Sequence, residues 1–300
     1  MVDVTFVTSV YDELFETEFA GRNNRGSHYA FSLTQIHRTE APIYCYTDQY
    51  NIKKFLPPLL AYGCDKTRFF NFDLGKYQHH AEILKIKGEV SQYVEQGAWQ
   101  QRCVEIMWGK FDMLIHAAET TGIAPDKYLF WIDAGLSHDG ILPPSYNTEY
   151  IPHKIKLASL DYQYRFQFDK IFNKNLPQYL VDYMGDNKLL FCFCSMPQHN
   201  DPSPLPNTKI GGTSVGGLFG GDIETVYRWA KKGKEVCAQL IEERCLIKEE
   251  DILSHLIDQN EEDPVKLYTF TTWYHEGWGD KIFMPDKGHV SFANLFKGML

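Results

Sequence analysis

The 300-residue sequence has no long hydrophobic run and no excess of positive charge. No stretch reaches the roughly 20 apolar residues that a membrane-spanning helix needs. The opening residues 1–9 lack the basic and apolar segments of a secretory signal peptide. A formal net charge of −9 argues against a nucleic-acid-binding surface. We therefore expect no transmembrane segment, no nucleic-acid partner and a cytoplasmic location, with attachment at the membrane periphery left open.

The cysteines also lack a regular pattern. There are seven, an odd number at irregular spacing, which suits a reducing compartment better than a disulfide framework. Cys192 and Cys194 alternate in an expected strand, but no second pair of Cys or His lies nearby, which disfavours a zinc site. Internal repeats, a low-complexity linker and a break in composition are missing too. The prediction is therefore one α/β domain over residues 1–300.

The most informative stretch present is a short apolar run that ends in an acid and a glycine. Tyr128 to Ile132, aromatic and branched, predicts a buried central strand. Asp133 then lies at the carboxyl end of that strand, where open α/β sheets bind ligands, and its carboxylate suits a divalent cation or a ribose hydroxyl. Gly135 permits close approach of a ligand. The alternative is that Asp133 caps the next segment and Gly135 only turns the chain.

Two more predicted strands also end in polar residues. Val2 to Val10 reads as the first strand and carries Thr8 and Ser9 near its end, and Ile43 to Thr47 reads as the second and is followed by Asp48. A helix predicted over residues 27–37 joins them into a βαβ unit. The polar residues are therefore expected along the carboxyl edge of one sheet. A third, edge-like strand is predicted over residues 66–72, after a loop that Pro57, Pro58 and Gly63 mark.

Residues 78–121 are predicted to be helical, because the apolar residues of 99–120 recur at helical spacing. Arg102 and Lys110 lie eight positions apart and fall roughly on one face of this helix. The sequence leaves open whether they are solvated surface cations or face a ligand.

Two patterns follow in the second half of the chain. Residues 211–222 are glycine-rich without the spacing of a phosphate-binding loop, and they predict either a strand that borders a site or a simple packing strand, with Asp222 capping the next helix. Glu249, Glu250 and Asp251 open a further helix. Acids favour a helix N-terminus because of the macrodipole, which accounts for one or two of the three. A last strand is predicted over residues 267–274.

Together these stretches resemble the HtrL/YibB family, also called WlaTC/HtrL, and the wider class of GT-A glycosyltransferases. The resemblance implies a GT-A-like single-domain α/β/α sandwich with a mostly parallel central sheet. It also implies a role in surface polysaccharide or lipopolysaccharide assembly. The segments that carry the resemblance are 5–8, 43–48, 108–114, 130–135 (Phe-Trp-Ile-Asp-Ala-Gly, the most specific), 216–221 and 250–251.

The central strand of a GT-A enzyme usually ends in Asp-x-Asp, which binds the metal and the sugar donor. Here Asp133, Ala134 and Gly135 take those places, and the second acid is missing. The resemblance implies that these three residues contact the donor. It further implies that Mn²⁺ or Mg²⁺ would be held by Asp133 with a distal histidine, His275 first and His289 second.

The predicted function is transfer of a sugar from a nucleotide-sugar donor, a UDP-sugar first, to a saccharide acceptor. Cations stabilise the departing diphosphate, so Arg102 and Lys110 are assigned to it. The acceptor hydroxyl needs a base, for which Glu250 and Asp251 are the candidates. The remaining donor contacts, to base and ribose, are assigned to Thr8, Ser9 and Asp48. The alternative is a non-catalytic glycan- or nucleotide-binding protein, which the missing second acid favours.

Overall fold

The computed structural model describes residues 2–11, 33, 36–61, 65–89, 103–134, 172–194 and 213–270. The strands of these residues form a single sheet. They are β1 (Asp3–Ser9), β2 (Ile43–Thr47), β3 (Thr67–Asn71), β4 (Lys127–Ile132), β5 (Leu189–Cys194), β6 (Thr213–Asp222) and β7 (Val265–Phe270). The helices are α1 (Gln49–Ala61), α2 (His80–Glu89), α3 (Cys103–Thr121), α4 (Leu176–Met184), α5 (Ile223–Glu242) and α6 (Glu249–Asp258). A 3₁₀ turn, Leu74–Lys76, precedes α2.

The seven strands lie in the order β3-β2-β1-β4-β6-β5-β7. β6 runs antiparallel to both of its neighbours, and the other pairings are parallel. From β1 the chain adds β2 and β3 on one side and β4 on the other, so the strand order reverses between β1 and β4. In open α/β sheets, ligands bind in the crevice outside the carboxyl ends of the strands at such a point.

Helices cover both faces of the sheet. Side chains alternate along a strand, so Leu129 and Trp131 of β4 join a core with α3, α5 and α6, whereas Phe130 and Ile132 join a core with α4 on the other face. Because β4 is buried on both faces, neither face needs polar side chains, and its sequence is a continuous apolar run. The prediction of an α/β/α sandwich with a mostly parallel central sheet is confirmed, and the likeness to the GT-A class stays a prediction. That residues 1–300 form one domain stays a prediction.

Most predicted elements are present with small shifts at their ends. β3 forms the edge of the sheet, as expected, and Leu33, Ile36 and His37 are helical within the predicted helix 27–37. The prediction that Pro57 and Pro58 mark a loop is wrong, because both lie inside α1. Pro57 is exposed, so water can reach the carbonyl that its missing N–H leaves unpaired.

The long helix predicted over residues 78–121 is described as α2 and α3, with residues 90–102 outside the described ranges. Within the described ranges, no helix combines the length and the apolar character required to cross a membrane.

Candidate functional site

Asp133 follows the last residue of β4 and lies at the carboxyl edge of the sheet. Its backbone N–H donates to the carbonyl of Gly217 in β6 over 2.8 Å, which extends the β4–β6 pairing by one residue. Its side chain is 39% exposed, although residues 129–132 before it are buried. The carboxylate is therefore fixed at its backbone and open to solvent at its tip.

One oxygen of this carboxylate is held by two donors. The indole Nε1 of Trp131 donates to Asp133 Oδ1 over 2.7 Å, and the Nζ of Lys110 lies 3.2 Å from the same oxygen. The Lys110 ammonium also lies 5.0 Å from the centre of the Trp131 ring, within the range of a cation–π contact. These contacts orient the carboxylate and leave Oδ2 as the oxygen for an external ligand.

Lys110 is only 4% exposed and spans three partners. Its Nζ donates to the carbonyl of Gly216 over 3.2 Å and to Glu249 Oε1 over 2.5 Å, besides contacting Asp133. An ammonium has three N–H donors, so these partners use all of them. Burial lowers the pKa of Lys110, but the attraction of Asp133 and Glu249 outweighs burial and holds that pKa above its ordinary 10.5. Lys110 is charged, but it has no N–H left for the predicted contact with a diphosphate.

The first turn of α6 supplies two carboxylates to the same place. Glu249 is 5% exposed and pairs with Lys110, and Glu250 accepts a 3.3 Å hydrogen bond from the N–H of Gly216. Burial raises the pKa of Glu250 to about 7, and the neighbouring charge of Glu249 adds to this, while the Gly216 N–H and Lys110 oppose it. A carboxyl group that titrates near neutral pH suits general acid–base catalysis.

Gly216 is a glycine because the charged cluster fills the space beside it. A Cβ at this position would lie 2.5 Å from Glu249 Oε1 and 3.1 Å from Lys110 Nζ. Both of its backbone polar groups serve the cluster, since its carbonyl accepts from Lys110 and its N–H donates to Glu250. Of the two interpretations of the glycine-rich strand, the structure supports a strand that borders the site.

Ser9 and Thr8 lie on opposite faces of β1. Val7 is paired in register with Trp131 and shares its core, so Ser9, two residues later, shares the face of Asp133. Thr8 points to the other face and is fully buried, at 0% exposure, and its Oγ1 has no hydrogen-bond partner among the described residues. The side chain of Thr8 therefore does not line the surface beside Asp133.

Asp48 caps a helix, and Ala134 packs in the core. The two oxygens of Asp48 accept hydrogen bonds from the backbone N–H of Asn51 (2.8 Å) and from its side-chain amide (3.0 Å), which caps α1. Ala134 is buried among Val10, Leu33 and Cys45. Asp251, the second candidate base, is partly buried in the first turn of α6. The hydrogen bonds between Asp48 and Asn51 and the packing of Ala134 do not involve Lys110, Glu249 or Asp133.

The described residues do not fit a divalent metal. No group of three or more His, Cys, Asp or Glu side chains within them is arranged to hold a metal ion. Asp133 Oδ1 and Glu249 Oε1 both face the ammonium of Lys110, which takes the position where a cation would neutralise them. His275 and His289, the predicted histidine ligands, lie outside the described residues. Arg102 and Gly135, which were predicted to contact the donor, lie outside them as well. The roles proposed for the described residues therefore involve no metal ion.

Glu249 is the site residue that the sequence did not single out. The macrodipole was expected to account for one or two of the three acids in this turn, and only Glu250 and Asp251 were chosen as candidate bases. The available signal was an excess of acids in the first turn of α6, more than a helix start requires. Only the contact with Lys110, 139 residues away in the chain, distinguishes it from the other two.

Comparison with known proteins gives little beyond this geometry. No protein-family model matches the chain, and no curated protein matches it. Among solved structures, the chain is similar to 4-diphosphocytidyl-2C-methyl-D-erythritol synthase from Anaerococcus prevotii, with 10% sequence identity over 98% of both chains and a TM-score of 0.39. At that score neither fold nor function is argued from the likeness. Membership of the HtrL/YibB family therefore stays a prediction, and the charged cluster around Asp133 is the basis for a function.

Proposed function

We propose that the protein is a glycosyltransferase that takes a sugar from a nucleotide-sugar donor, a UDP-sugar being the first candidate, and transfers it to a saccharide acceptor. The observation that carries the proposal is the position of Asp133. Its half-exposed carboxylate lies at the carboxyl end of the central strand β4, beside the point where the strand order reverses. Open α/β sheets bind their ligands there.

The reaction breaks the bond between the anomeric carbon and an oxygen of the diphosphate. In an inverting transfer, the acceptor oxygen bonds to that carbon from the opposite side and its proton passes to a base. Glu250 fits this role because its pKa of about 7 lets it accept a proton near neutral pH and release it again. Asp251, on the same turn of α6, is the second candidate. Asp133 is assigned to a ribose hydroxyl of the donor, which can donate to the carboxylate oxygen that Lys110 and Trp131 do not hold.

The structure describes only some of the other residues that were predicted to contact the donor. Ser9 shares a face with Asp133 and stays a candidate for the nucleoside. The predicted metal on Asp133 and His275, and the role of Arg102 at the diphosphate, depend on residues outside the described ranges. Mn²⁺ is therefore a variable in the experiment below, and it has no part in the mechanism.

A second candidate function is a non-catalytic protein with a GT-A-like fold that binds a nucleotide or glycan. The specific observation in its favour is that the central strand ends in Asp133-Ala134-Gly135, with one acid where the GT-A pattern has two. Donor hydrolysis separates the candidates, because a pure binder releases no sugar from the donor.

Calorimetry tests the proposal. The protein is titrated with a panel of nucleoside diphosphates, with and without Mn²⁺, and with the variants Asp133→Asn and Asp126→Asn. Asp126 is exposed just before β4, at the opposite end of the strand, and serves as the matched control. We expect Asp133→Asn to weaken binding at least roughly tenfold and to stop donor hydrolysis. Its melting temperature should stay within a few degrees, because an asparagine oxygen can still accept from Trp131 and Lys110.

Absence of heat with every nucleotide, from a folded protein, would count against a nucleotide-sugar enzyme. A large fall in the melting temperature of Asp133→Asn would instead support a capping role for this residue. Binding without any donor hydrolysis would favour the non-catalytic candidate.

A further inference from the structure

A buried ion pair lies directly beneath the exposed carboxylate of Asp133. Lys110 from α3 and Glu249 from α6 are 4% and 5% exposed and lie 2.5 Å apart. Gly216 of β6 leaves room for them, because a Cβ there would lie only 2.5 Å from Glu249 Oε1 and would crowd Lys110 Nζ at 3.1 Å. Three separate elements are therefore shaped around one contact between residues 139 positions apart.

Stability alone is a weak reason for such a pair. Removing two charges from water costs free energy that their attraction often does not repay, and well-packed apolar residues of similar size are frequently as stable or more so. This pair has one feature that an apolar pair lacks. The remaining N–H of Lys110 reaches outward to Oδ1 of Asp133, which is shared with the indole of Trp131.

The direction of the lysine depends on Glu249. Gly216 and Glu249 hold the ammonium from below, which fixes where its third N–H points. Without Glu249 the ammonium would lose its 2.5 Å partner opposite Asp133 and could shift together with the Asp133 carboxylate. With Glu249 in place, the Lys110 ammonium is held from the other side, so it cannot shift together with the Asp133 carboxylate.

We propose that Glu249 and Lys110 are positioning residues, whose ion pair holds one oxygen of Asp133 and thereby sets the direction in which its other oxygen meets the ligand. This inference rests on the proposed function for the identity of the ligand, a nucleoside diphosphate. It concerns the placement of Asp133, which is measurable without any ligand.

The experiment compares Glu249→Gln, Lys110→Met and the double variant Lys110→Met/Glu249→Gln. Lys110→Met alone leaves a buried carboxylate without a partner and is expected to lower the melting temperature strongly. The double variant removes both charges together and is expected to melt close to the wild type. It tests positioning without unfolding the protein.

Binding of UDP with Mn²⁺ is the first readout. We expect the double variant to bind at least roughly tenfold more weakly than the wild type, because a displaced carboxylate loses its geometry with the ligand. Glu249→Gln with Lys110 intact should recover most of this loss, since its amide oxygen still accepts from the ammonium. Equal affinity in the double variant and the wild type would overturn the proposal.

A second ion pair on the same helix α3 provides the control. Glu105 is 0% exposed, and its Oε2 lies 3.4 Å from the Nζ of Lys87 of α2, which is 13% exposed. The other oxygen of Glu105 lies 3.0 Å from Nδ1 of His80. The variant Lys87→Met/Glu105→Gln makes the same exchange away from Asp133. It should leave UDP binding unchanged, and a comparable loss there would show that any such exchange has this effect, which also contradicts positioning.

The crystal structure of the ligand-free double variant is the second readout. Asp133 should leave its present rotamer or lose the 2.7 Å contact with Trp131. If it keeps both, Lys110 and Glu249 do not position it. This result stands even when the wild type binds no nucleotide, so failure of the proposed function and failure of the positioning role can be told apart.

Discussion

At the scale of single residues, the charge of Glu250 depends on its surroundings. Burial raises its pKa from an ordinary 4.5 to about 7, and the charge of Glu249 adds to the effect. Between these two pH values the folded state holds a proton that the unfolded state has released. The free energy of unfolding therefore falls as the pH rises through this window, and levels off above it.

Glu250→Gln should remove this dependence. The glutamine cannot ionise, and its oxygen can still accept the hydrogen bond from Gly216. Relative to the wild type, the variant should gain roughly 2–3 kcal/mol in the free energy of unfolding between pH 4.5 and 8. Urea denaturation across this range measures the difference, with Glu261→Gln as the control for loss of an exposed carboxylate. A difference that stays constant with pH would show that Glu250 titrates normally.

The sequence predicted site residues where a local pattern determines position. Asp133 follows an apolar run, and a run that ends at an acid places that acid at the edge of a sheet. Lys110 was predicted as a site residue, but its burial and its ion pair with Glu249 were not, because that partner lies 139 residues away in the chain. Thr8 was assigned to the ligand because it lies near a strand end, but the alternation of side chains turns it into the core on the other face. Asp48 was assigned for the same reason, and it caps α1 instead.

At the scale of elements, β6 depends on glycine in the middle of the sheet. Gly220 and Gly221 have φ values of +156° and +153°. A Cβ on Gly220 would lie 2.2 Å from the carbonyl oxygen of Leu129, and one on Gly221 would lie 2.1 Å from that of Lys188. Both contacts are with the backbone of neighbouring chain segments, which cannot rotate away. β6 therefore packs between β4 and β5 only without side chains at these positions.

Gly220→Ala should accordingly destabilise the protein by at least about 3 kcal/mol, since backbone strain and a collision with backbone act together. Gly88→Ala is the matched control. Gly88 is exposed in α2, and a Cβ there would meet nothing within 4 Å, so alanine should stabilise by roughly 1 kcal/mol through helix propensity. Chemical denaturation of both variants gives the comparison. Equal stabilities of the two variants would mean that β6 tolerates side chains at this point.

Local chemistry explains which elements the sequence predicts well. β4, β5 and the helix that Asp222 caps follow from apolar runs, glycine and a capping residue, all of which act within a few positions. Asp222 Oδ1 accepts from the N–H of Thr225 over 3.0 Å, as an N-cap should. The loop prediction failed because proline was taken to end a helix. Pro57 is exposed, and α1 continues through it.

At the scale of the whole molecule, two buried thiols lie in separate parts of the core. Cys45 of β2 packs with Val10 and Leu33, and Cys237 of α5 belongs to the large core under α3 and α6. Both are 0% exposed, and burial raises the pKa of each thiol above its ordinary 9.0. Neither should react with an alkylating reagent while its part of the core is folded.

If residues 1–300 form one cooperative domain, Cys45 and Cys237 should become reactive at the same urea concentration. Pulsed alkylation with iodoacetamide, followed by mass spectrometry of the two peptides, measures each midpoint separately. Fully unfolded protein gives the reference rate for each thiol. Two distinct midpoints would show that the N-terminal and C-terminal parts of the sheet unfold independently and would overturn the prediction of a single domain.

The fold class was predictable at this scale, because alternating strands and helices with buried apolar strands allow few arrangements. The reversal of β6 was not. The direction of β6 depends on its pairing with β4 and β5, which are distant in the chain, and no local pattern within β6 determines that pairing. The sequence likewise could not show that the acids of α6 would meet a lysine of α3 behind this strand.

The contact between Trp131 and Asp133 gives the protein a built-in optical reporter. The indole N–H is bonded to the carboxylate, and an ammonium lies over the ring, so the emission of this chromophore depends on charges at the edge of the sheet. A ligand that binds the Asp133 carboxylate also alters the electric field across the Trp131 indole. We therefore expect a ligand that binds Asp133 to change the fluorescence of Trp131, without any attached label.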